Sequence, residues 1–549
     1  MLVFENVFSE IALIMAIAAI VGALAIKLRQ PLIMAFIVVG ILVGPAGINL
    51  VESSEQVELF AELGIALLLF VVGLKLDPHE IRAVGLVAIT TGMGQILITG
   101  ILGYLITLIL GITGISAFYV AIALTFSSTI IIVKLLSDLR EIDALHGRIA
   151  LGVLIVQDIV VVIVMIALSA LTGNEQGELG REILTVLIKG SVFLVCIGLF
   201  TRYILPSLLH SLARSTELLL IFAIAWAVIL AALGDWLGFS REVGAFLAGV
   251  SLAYTPYRAD LGSRLVSLRD FLLLFFFIDL GIHIDVTHFI EALIPAVVLS
   301  LFVLLGKPLM IMTLVGMMGY RKYTSVITSL SLGQISEFSL ILGALGVSLG
   351  HINDETLGLI TLIGLITMGV STYMIIYAHR FYDMLSPYLG WIDKLSNRRH
   401  QKISDLEVDE SADVDVILFG LGRYGGSLLS NLSQQGTNVL GVDFDPELVK
   451  SWRSLGILAF YGDAEDPEFA ATLPLNKAKW VVSTLPGRRI GLALLRNLKH
   501  RDFQGKIALT SHSRREQVIL HQAGADLVLL PFQDAAKEAA RTLAELTFD

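Results

Sequence analysis

The 549-residue chain is 56% hydrophobic and only 16% charged, with a mean hydropathy of +0.83 and a formal net charge of -10. Soluble globular chains carry roughly a quarter charged residues, so this composition excludes a wholly soluble protein and describes one built largely in lipid. The acidic balance argues against a nucleic-acid partner, and the single Cys196 excludes an intrachain disulfide, leaving a thiol expected to pack inside its apolar run.

Apolar runs of the length that spans a ~30 Å hydrocarbon core occupy residues 7–27, 31–47, 57–75, 84–110, 115–136, 147–171, 183–205, 216–235, 239–255, 268–284, 289–318, 324–349 and 354–378, thirteen in all. The first is flanked by Glu5 and Glu10 rather than by a basic region, so it reads as a retained helix and not as a cleaved signal. Threading the runs in order puts Lys27, Arg29, Lys75, Arg82, Lys134, Arg140, Arg148, Arg202, Arg214, Arg258, Arg264, Arg269, Arg321 and Lys322 on one side, against little beyond Arg181 and Arg241 on the other. Basic loops stay in the cytoplasm. The N-terminus is therefore expected outside and everything after residue 379 inside.

Within these runs the ionisable residues carry the functional signal. Asp158 follows Gln157 in the middle of GVLIVQDIVVVIVMIALSAL (152–171), where a charge costs at least ~2.5–3.5 kcal/mol. Lys307, Glu337 and Asp279 are also buried in apolar sequence. Such groups face a cavity or a partner and mark ion or proton paths. Two runs hold polar residues at mid-depth: Thr125, Ser127, Ser128 and Thr129 in one, Ser331, Gly333, Gln334 and Ser336 in the other. Clusters of this kind predict helices broken at the midplane, as in transporters built from inverted repeats. The two runs lie seven spans apart, an odd offset that makes them cross in opposite directions. The filter-like string TTGMG (90–94) sits inside a long apolar run, where the re-entrant loop of a channel filter has no room.

The segment 380–413, with its acidic SDLEVDESADVD, reads as a linker. Over 414–549 short β-type runs alternate with helical patterns, predicting parallel strands with crossover helices. The first turn, GLGRYG, places Gly420, Gly422 and Gly425 in G-x-G-x-x-G spacing, and Asp443 closes the second predicted strand. Glycines there permit close approach of a phosphate to a helix N-terminus, with Arg423 as an added contact, while the acid accepts from ribose hydroxyls. Asp463 and Glu465, after the third strand, are the candidates to meet the adenosine. The fold class expected is thus a polytopic α-helical membrane protein with a C-terminal α/β Rossmann-like domain. No further soluble domain follows to hold a substrate against a nicotinamide, which favours regulation over hydride transfer and a transporter over an enzyme.

The strings GILVGPAGI (40–48), FAELGIALLLFVVGLKLD (60–77), TFSSTIIIVKLL (125–136), HGRIALGVLIVQDI (146–159), GAFLAGVSLA (244–253), LRDFLLLFFFIDLGIHID (268–285) and GQISEFSLILGALG (333–346) together resemble the Kef-type branch of the monovalent cation:proton antiporters. The tail, with FGLGRYG, YGDAEDP and GADLVLLP in order, resembles the nucleotide-binding domain that regulates potassium conductance. This resemblance implies exchange of potassium, or sodium, for protons by an elevator-like movement in a homodimer of the bacterial inner membrane, with a possible cytoplasmic ancillary subunit. It maps the transport carboxylate onto Asp158 and makes Gln157-Asp158 the pairing of the potassium-efflux members. Lys307 matches the basic residue of the ion-site region, and AMP, ATP or NAD(H) is the regulatory ligand it implies. Ser127, Ser128, Thr129 and Thr125 are expected to complete the ion shell beside Gln157. The loop YTPYRADLGSRLVSLRD (254–270) departs from the acidic stretch of glutathione-gated members, and Asp279 stands where relatives carry a small or apolar residue.

Overall fold

The computed structural model describes residues 7–45, 47–48, 54–75, 85–139, 141–142, 144–170, 179–213, 215–237, 239–283, 289–392, 413–443, 446–462, 464, 469, 473–485, 488–511 and 513–548. It separates into two compact units, Met1–Leu395 and Ser396–Asp549.

In the first unit each of the thirteen apolar runs coincides with a helix or a broken helix. Seven helices among the described residues are long and apolar enough to cross a membrane: Val7–Lys27, Glu55–Leu74, Gly85–Ile109, Leu145–Ser169, Thr216–Leu237, Ala292–Met317 and Asp354–Ile376. A further pair, Ser191–Tyr203 and Leu205–Leu212, is bent by 51°. Pro206 at the start of the second helix explains the bend, because its ring clashes with the carbonyl four residues back. TTGMG lies in the uninterrupted helix Gly85–Ile109, so it forms no filter loop.

Two expectations need correction. Residues 258–270 are not loop but the first half of the helix Arg258–Ile282. Buried Leu261, Leu265 and Leu272 recur at helical spacing there, and Asp260 pairs with Arg264 one turn on at 3.0 Å, a pattern that hydropathy alone overlooks because arginines alternate with the leucines. Cys196 is exposed on its helix rather than packed inside the chain.

The helices sort into two packed groups. Arg258–Ile282 packs on Ser54–Lys75 and Leu32–Val43, and Thr216–Leu237 on Arg241–Ala253. The second group joins Gly85–Ile109, Leu145–Ala170, Lys307–Met317, Asp354–Ile376 and the two broken helices. Glycines of the quoted motifs are the closest contacts of the first group: a Cβ on Gly249 meets Phe70 O at 2.0 Å, and one on Gly281 meets Ile37 O at 2.2 Å. Such small residues let helix backbones approach where no hydrophobic effect drives association.

The second unit is a parallel six-stranded sheet, β1 Val416–Phe419, β2 Val439–Asp443, β3 Ala459–Tyr461, β4 Trp480–Ser483, β5 Lys506–Thr510 and β6 Leu527–Leu529, in the order β3-β2-β1-β4-β5-β6. Ile417, Phe419, Val481 and Leu509 pack on one face and Val416, Leu418, Val482 and Ala508 on the other. With both faces covered, the strands read as continuous apolar runs instead of alternating ones. The strand order reverses between β1 and β4, the switch point where open α/β sheets bind ligands.

Candidate functional site

Two helices break in the middle of the membrane unit. Gly114–Ala123 gives way to an irregular stretch before Thr129–Asp138, and Lys322–Ser331 to another before Glu337–Ser348. Serine caps restart both: Ser128 Oγ accepts from the Ile131 amide at 3.3 Å, and Ser336 Oγ from the Phe338 amide at 3.1 Å. Every break leaves unpaired carbonyls at the end of one half and unpaired amides at the start of the next, hence a negative and a positive partial charge. The two breaks touch directly, since the Ser127 hydroxyl donates to Leu332 O at 3.0 Å.

Lys307 answers the carbonyl ends. It is fully buried and follows a π-helical turn, Phe302–Gly306, of the kind found at functional sites. Its Nζ donates to Phe126 O and Gln334 O at 2.9 Å each and to Leu124 O at 3.3 Å, so one ammonium serves both breaks. Glu337 answers the amide ends. It is the first residue of its half-helix, 1% exposed, and its Oε2 accepts from Ser336 Oγ at 3.4 Å.

Asp158 stands apart from both. It is part-exposed, whereas Gln157, Thr125, Ser127, Ser128, Lys307 and Glu337 are all buried. The Thr129 hydroxyl shares itself between its two oxygens at 3.2 and 3.1 Å. A cavity of about 680 Å³ reaches Ile130 and Ile131, next to Thr129, and is rimmed by Arg29, Lys134, Asp138 and Asp270.

The expected ion shell is therefore only partly assembled around the carboxylate. Thr129 meets it. The Thr125 hydroxyl instead donates to Ile122 O at 2.7 Å, Ser128 caps its helix, and Ser127 bridges the breaks. Gln157 Oε1 accepts from the Ser127 amide at 2.8 Å, and its Nε2 donates to Gln95 Oε1 at 2.6 Å. Asp279 lies elsewhere, near the end of its helix, with His283 Nδ1 3.4 Å from its Oδ1.

Gln95 is a site residue that the sequence reading missed. A reading confined to ionisable groups passes over it. The signal was present: Thr91, Gln95, Thr99 and Thr107 are spaced in multiples of four along an otherwise apolar helix, and all four are fully buried. A polar stripe turned inward on a membrane helix marks a polar interior, because lipid cannot satisfy it.

In the C-terminal unit the turn between β1 and the helix Arg423–Gln434 behaves as the motif demands. Gly420 has φ +87°, and a Cβ on Gly425 meets Gly420 O at 1.8 Å, so both glycines are required by the backbone itself. Gly422 is different: a Cβ there meets nothing within 4 Å. Its small size leaves open room over the helix N-terminus, where an anion is favoured. Arg423 is exposed beside that opening. Asp443 ends β2 as expected, and its Oδ2 accepts from the Leu421 amide at 2.6 Å, bracing the turn. Asp463 and Glu465 lie outside the described residues.

Crossed broken helices with opposite charges on their ends, and a separate part-exposed carboxylate beside them, are the architecture of a secondary ion transporter. The chain belongs to the sodium/hydrogen exchanger family: residues 13–377 match its transmembrane domain, and residues 416–531 match the TrkA-N domain. It is a membrane cation/proton antiporter with a Rossmann-like C-terminal domain. The candidate cation/proton antiporter YbaL of Escherichia coli (strain K12) is 28% identical over 546 residues, 97% of this chain and 95% of YbaL. The glutathione-regulated potassium-efflux system protein KefC of the same strain is 26% identical over 513 residues, 93% of this chain and 80% of KefC. The sodium proton antiporter MjNhaP1 from Methanocaldococcus jannaschii shares the fold, with a TM-score of 0.52 at 17% identity, over 68% of this chain and 96% of MjNhaP1.

Proposed function

We propose that the chain exchanges potassium for protons through Asp158 and that an adenine nucleotide on the C-terminal domain regulates the exchange. The observation that carries the first half is the division of labour among the three ionisable groups at the crossing. Lys307 and Glu337 are sealed and engaged with helix ends, whereas Asp158 is part-exposed and bonded to Thr129 at the start of the half-helix that lines the cavity. A carboxylate in that position takes a proton or, ionised, ligates a hard alkali cation, and the two compete for the same oxygens. Alternating access converts that competition into exchange. Arg29 and Lys134 at the cavity rim belong to the basic, cytoplasmic side, so the cavity serves as the inward path. The neutral Gln157 beside Asp158, where a second carboxylate would add a charge, and the similarity to KefC support potassium over sodium.

For regulation, the open space at Gly422, the exposed Arg423 and the acid at Asp443 suit a nucleotide phosphate and ribose. The negative charge of Asp443 repels a 2′-phosphate, which favours AMP, ATP or NAD(H) over NADP(H). The segment that follows the last span is itself held in the membrane unit. His379 Nε2 lies 3.3 Å from Glu141 Oε1, Glu141 Oε2 lies 2.9 Å from His146 Nε2, and Tyr323 of the second broken helix contacts His379. Ile392, fully buried, packs against the helix that carries Lys307. The chain acts as a homodimer in the inner membrane, the assembly its family resemblance implies.

The test is proton flux in proteoliposomes with potassium and sodium supplied in turn. Asp158→Asn is expected to abolish exchange with either cation while leaving the melting temperature near that of the wild type. Cation-dependent flux in that variant overturns the assignment, and sodium preference in the wild type overturns the cation. Calorimetry of the full chain with AMP, ATP and NAD(H) tests the nucleotide, and no binding at millimolar concentration removes it.

A further inference from the structure

We propose that Gln95 is a positioning and selectivity-setting residue of the exchange site. The proposal rests on Asp158 being the exchange carboxylate. Gln95 is fully buried, and it joins three elements. Its Oε1 accepts from Gln157 Nε2 at 2.6 Å, and its Nε2 donates to Thr125 O at 2.9 Å and to Thr99 Oγ1 at 3.0 Å. The helix Gly85–Ile109 comes close enough for this because it is small where it touches. A Cβ on Gly92 meets Val156 Cγ1 at 2.9 Å, one turn before Gln95 and one residue before Gln157.

Only one polarity satisfies this chain of bonds. The Ser127 amide can only donate, so Gln157 must turn its carbonyl toward it. The Gln157 amide then faces Gln95, which must present its own carbonyl. The Gln95 amide is left for Thr125 O, a group that can only accept. Gln95 thus holds Gln157 in the orientation that the Ser127 amide requires, with its carbonyl toward the break next to Asp158. It also completes the restraint of the break itself, where Lys307 holds the Leu124 and Phe126 carbonyls and Gln95 holds the Thr125 carbonyl between them. Three consecutive carbonyls are fixed by two side chains from two helices. Fixed carbonyl and amide positions beside the carboxylate set the size and charge of the ion that fits, so Gln95 contributes to cation choice without touching the cation.

Two variants test this. Gln95→Met keeps the volume and removes every polar contact. Gln95→Glu keeps the acceptor for Gln157 but can donate to Thr125 O only when protonated. In proteoliposomes, Gln95→Met is expected to raise the half-saturating potassium concentration at least tenfold and to reduce discrimination against sodium, with a smaller loss of maximal rate. Gln95→Glu is expected to match the wild type at low pH and to lose affinity as pH rises, adding a titration that the wild-type profile lacks. A wild-type potassium-to-sodium ratio in Gln95→Met overturns the proposal, and so does a wild-type pH profile in Gln95→Glu if Gln95→Met fails to insert. Asp158→Asn is run in parallel. If it retains exchange, the carboxylate assignment fails, whereas an inactive Asp158→Asn beside an unaltered Gln95→Met defeats the Gln95 proposal alone.

Discussion

Replacing Lys307 with methionine separates two accounts of a buried ammonium in a transporter. The change keeps an unbranched apolar stem and deletes the charge. Among the described residues no carboxylate pairs with the ammonium; it holds three buried carbonyls at 3.3, 2.9 and 2.9 Å. Deleting it strands these groups at a cost of ~1–3 kcal/mol each. Relief from burying a charge offsets several kcal/mol of that sum and leaves a net loss of about 3 kcal/mol. At ~2–4 °C per kcal/mol for a domain of 150–250 residues, and less per kcal/mol for a larger unit, the melting midpoint in detergent should fall by roughly 5–10 °C. Combining Lys307→Met with Asp158→Asn sharpens the test. Groups without a shared partner add to within ~0.5 kcal/mol, so the double variant should melt where the two single shifts sum. A midpoint unchanged in Lys307→Met, or a stability restored by adding Asp158→Asn, refutes the carbonyl-clamp account and reinstates an ion pair between the two residues.

Further tests concern the C-terminal domain. Gly425→Ala, whose Cβ collides with Gly420 O, should unfold or strongly destabilise the domain, whereas Gly422→Ala, with nothing within 4 Å, should leave its melting temperature unchanged and weaken nucleotide binding by calorimetry. Equal effects of the two on folding contradict the distinction between backbone and ligand glycines. The Lys479 ammonium 2.7 Å from Asp415, with the Asn438 amide, holds the Asp415 carboxyl below the usual carboxylate range. A depressed folded value contributes stability that is present above the unfolded pKa of ~3.9 and is lost as pH falls through the folded value. Lys479→Met should therefore move the acid unfolding midpoint of the domain, followed by circular dichroism, to higher pH. The Asp415 carboxylate in turn raises the Lys479 ammonium, through their hydrogen bond first, so the same variant should also lose a contribution that the wild type keeps up to alkaline pH. Coincident acid limbs would remove the pair from the stability of this domain.

Much of this protein follows from local sequence. Length and polarity of an apolar run decide whether it enters lipid, so thirteen segments were legible without any knowledge of their neighbours. A serine or threonine cluster at mid-depth weakens a helix wherever it stands, which located both breaks, and the G-x-G-x-x-G spacing prescribes a turn that only glycines at 420 and 425 can make. Other features depend on what lies opposite. The first half of Arg258–Ile282 is helical because its leucines find a packed surface, and its hydropathy alone is too low to say so. Lys307 could be expected to need a partner, but whether that partner was Asp158, Glu337 or the main chain was decided by contacts reaching up to 183 positions along the sequence. Gln157 stood out in the sequence and Gln95 did not, and helix packing put one beside the other, 62 residues apart. Partition into lipid and backbone conformation are set within a few residues. Hydrogen-bond polarity is set only when both partners are in place, and in this chain the tertiary structure supplied the second one.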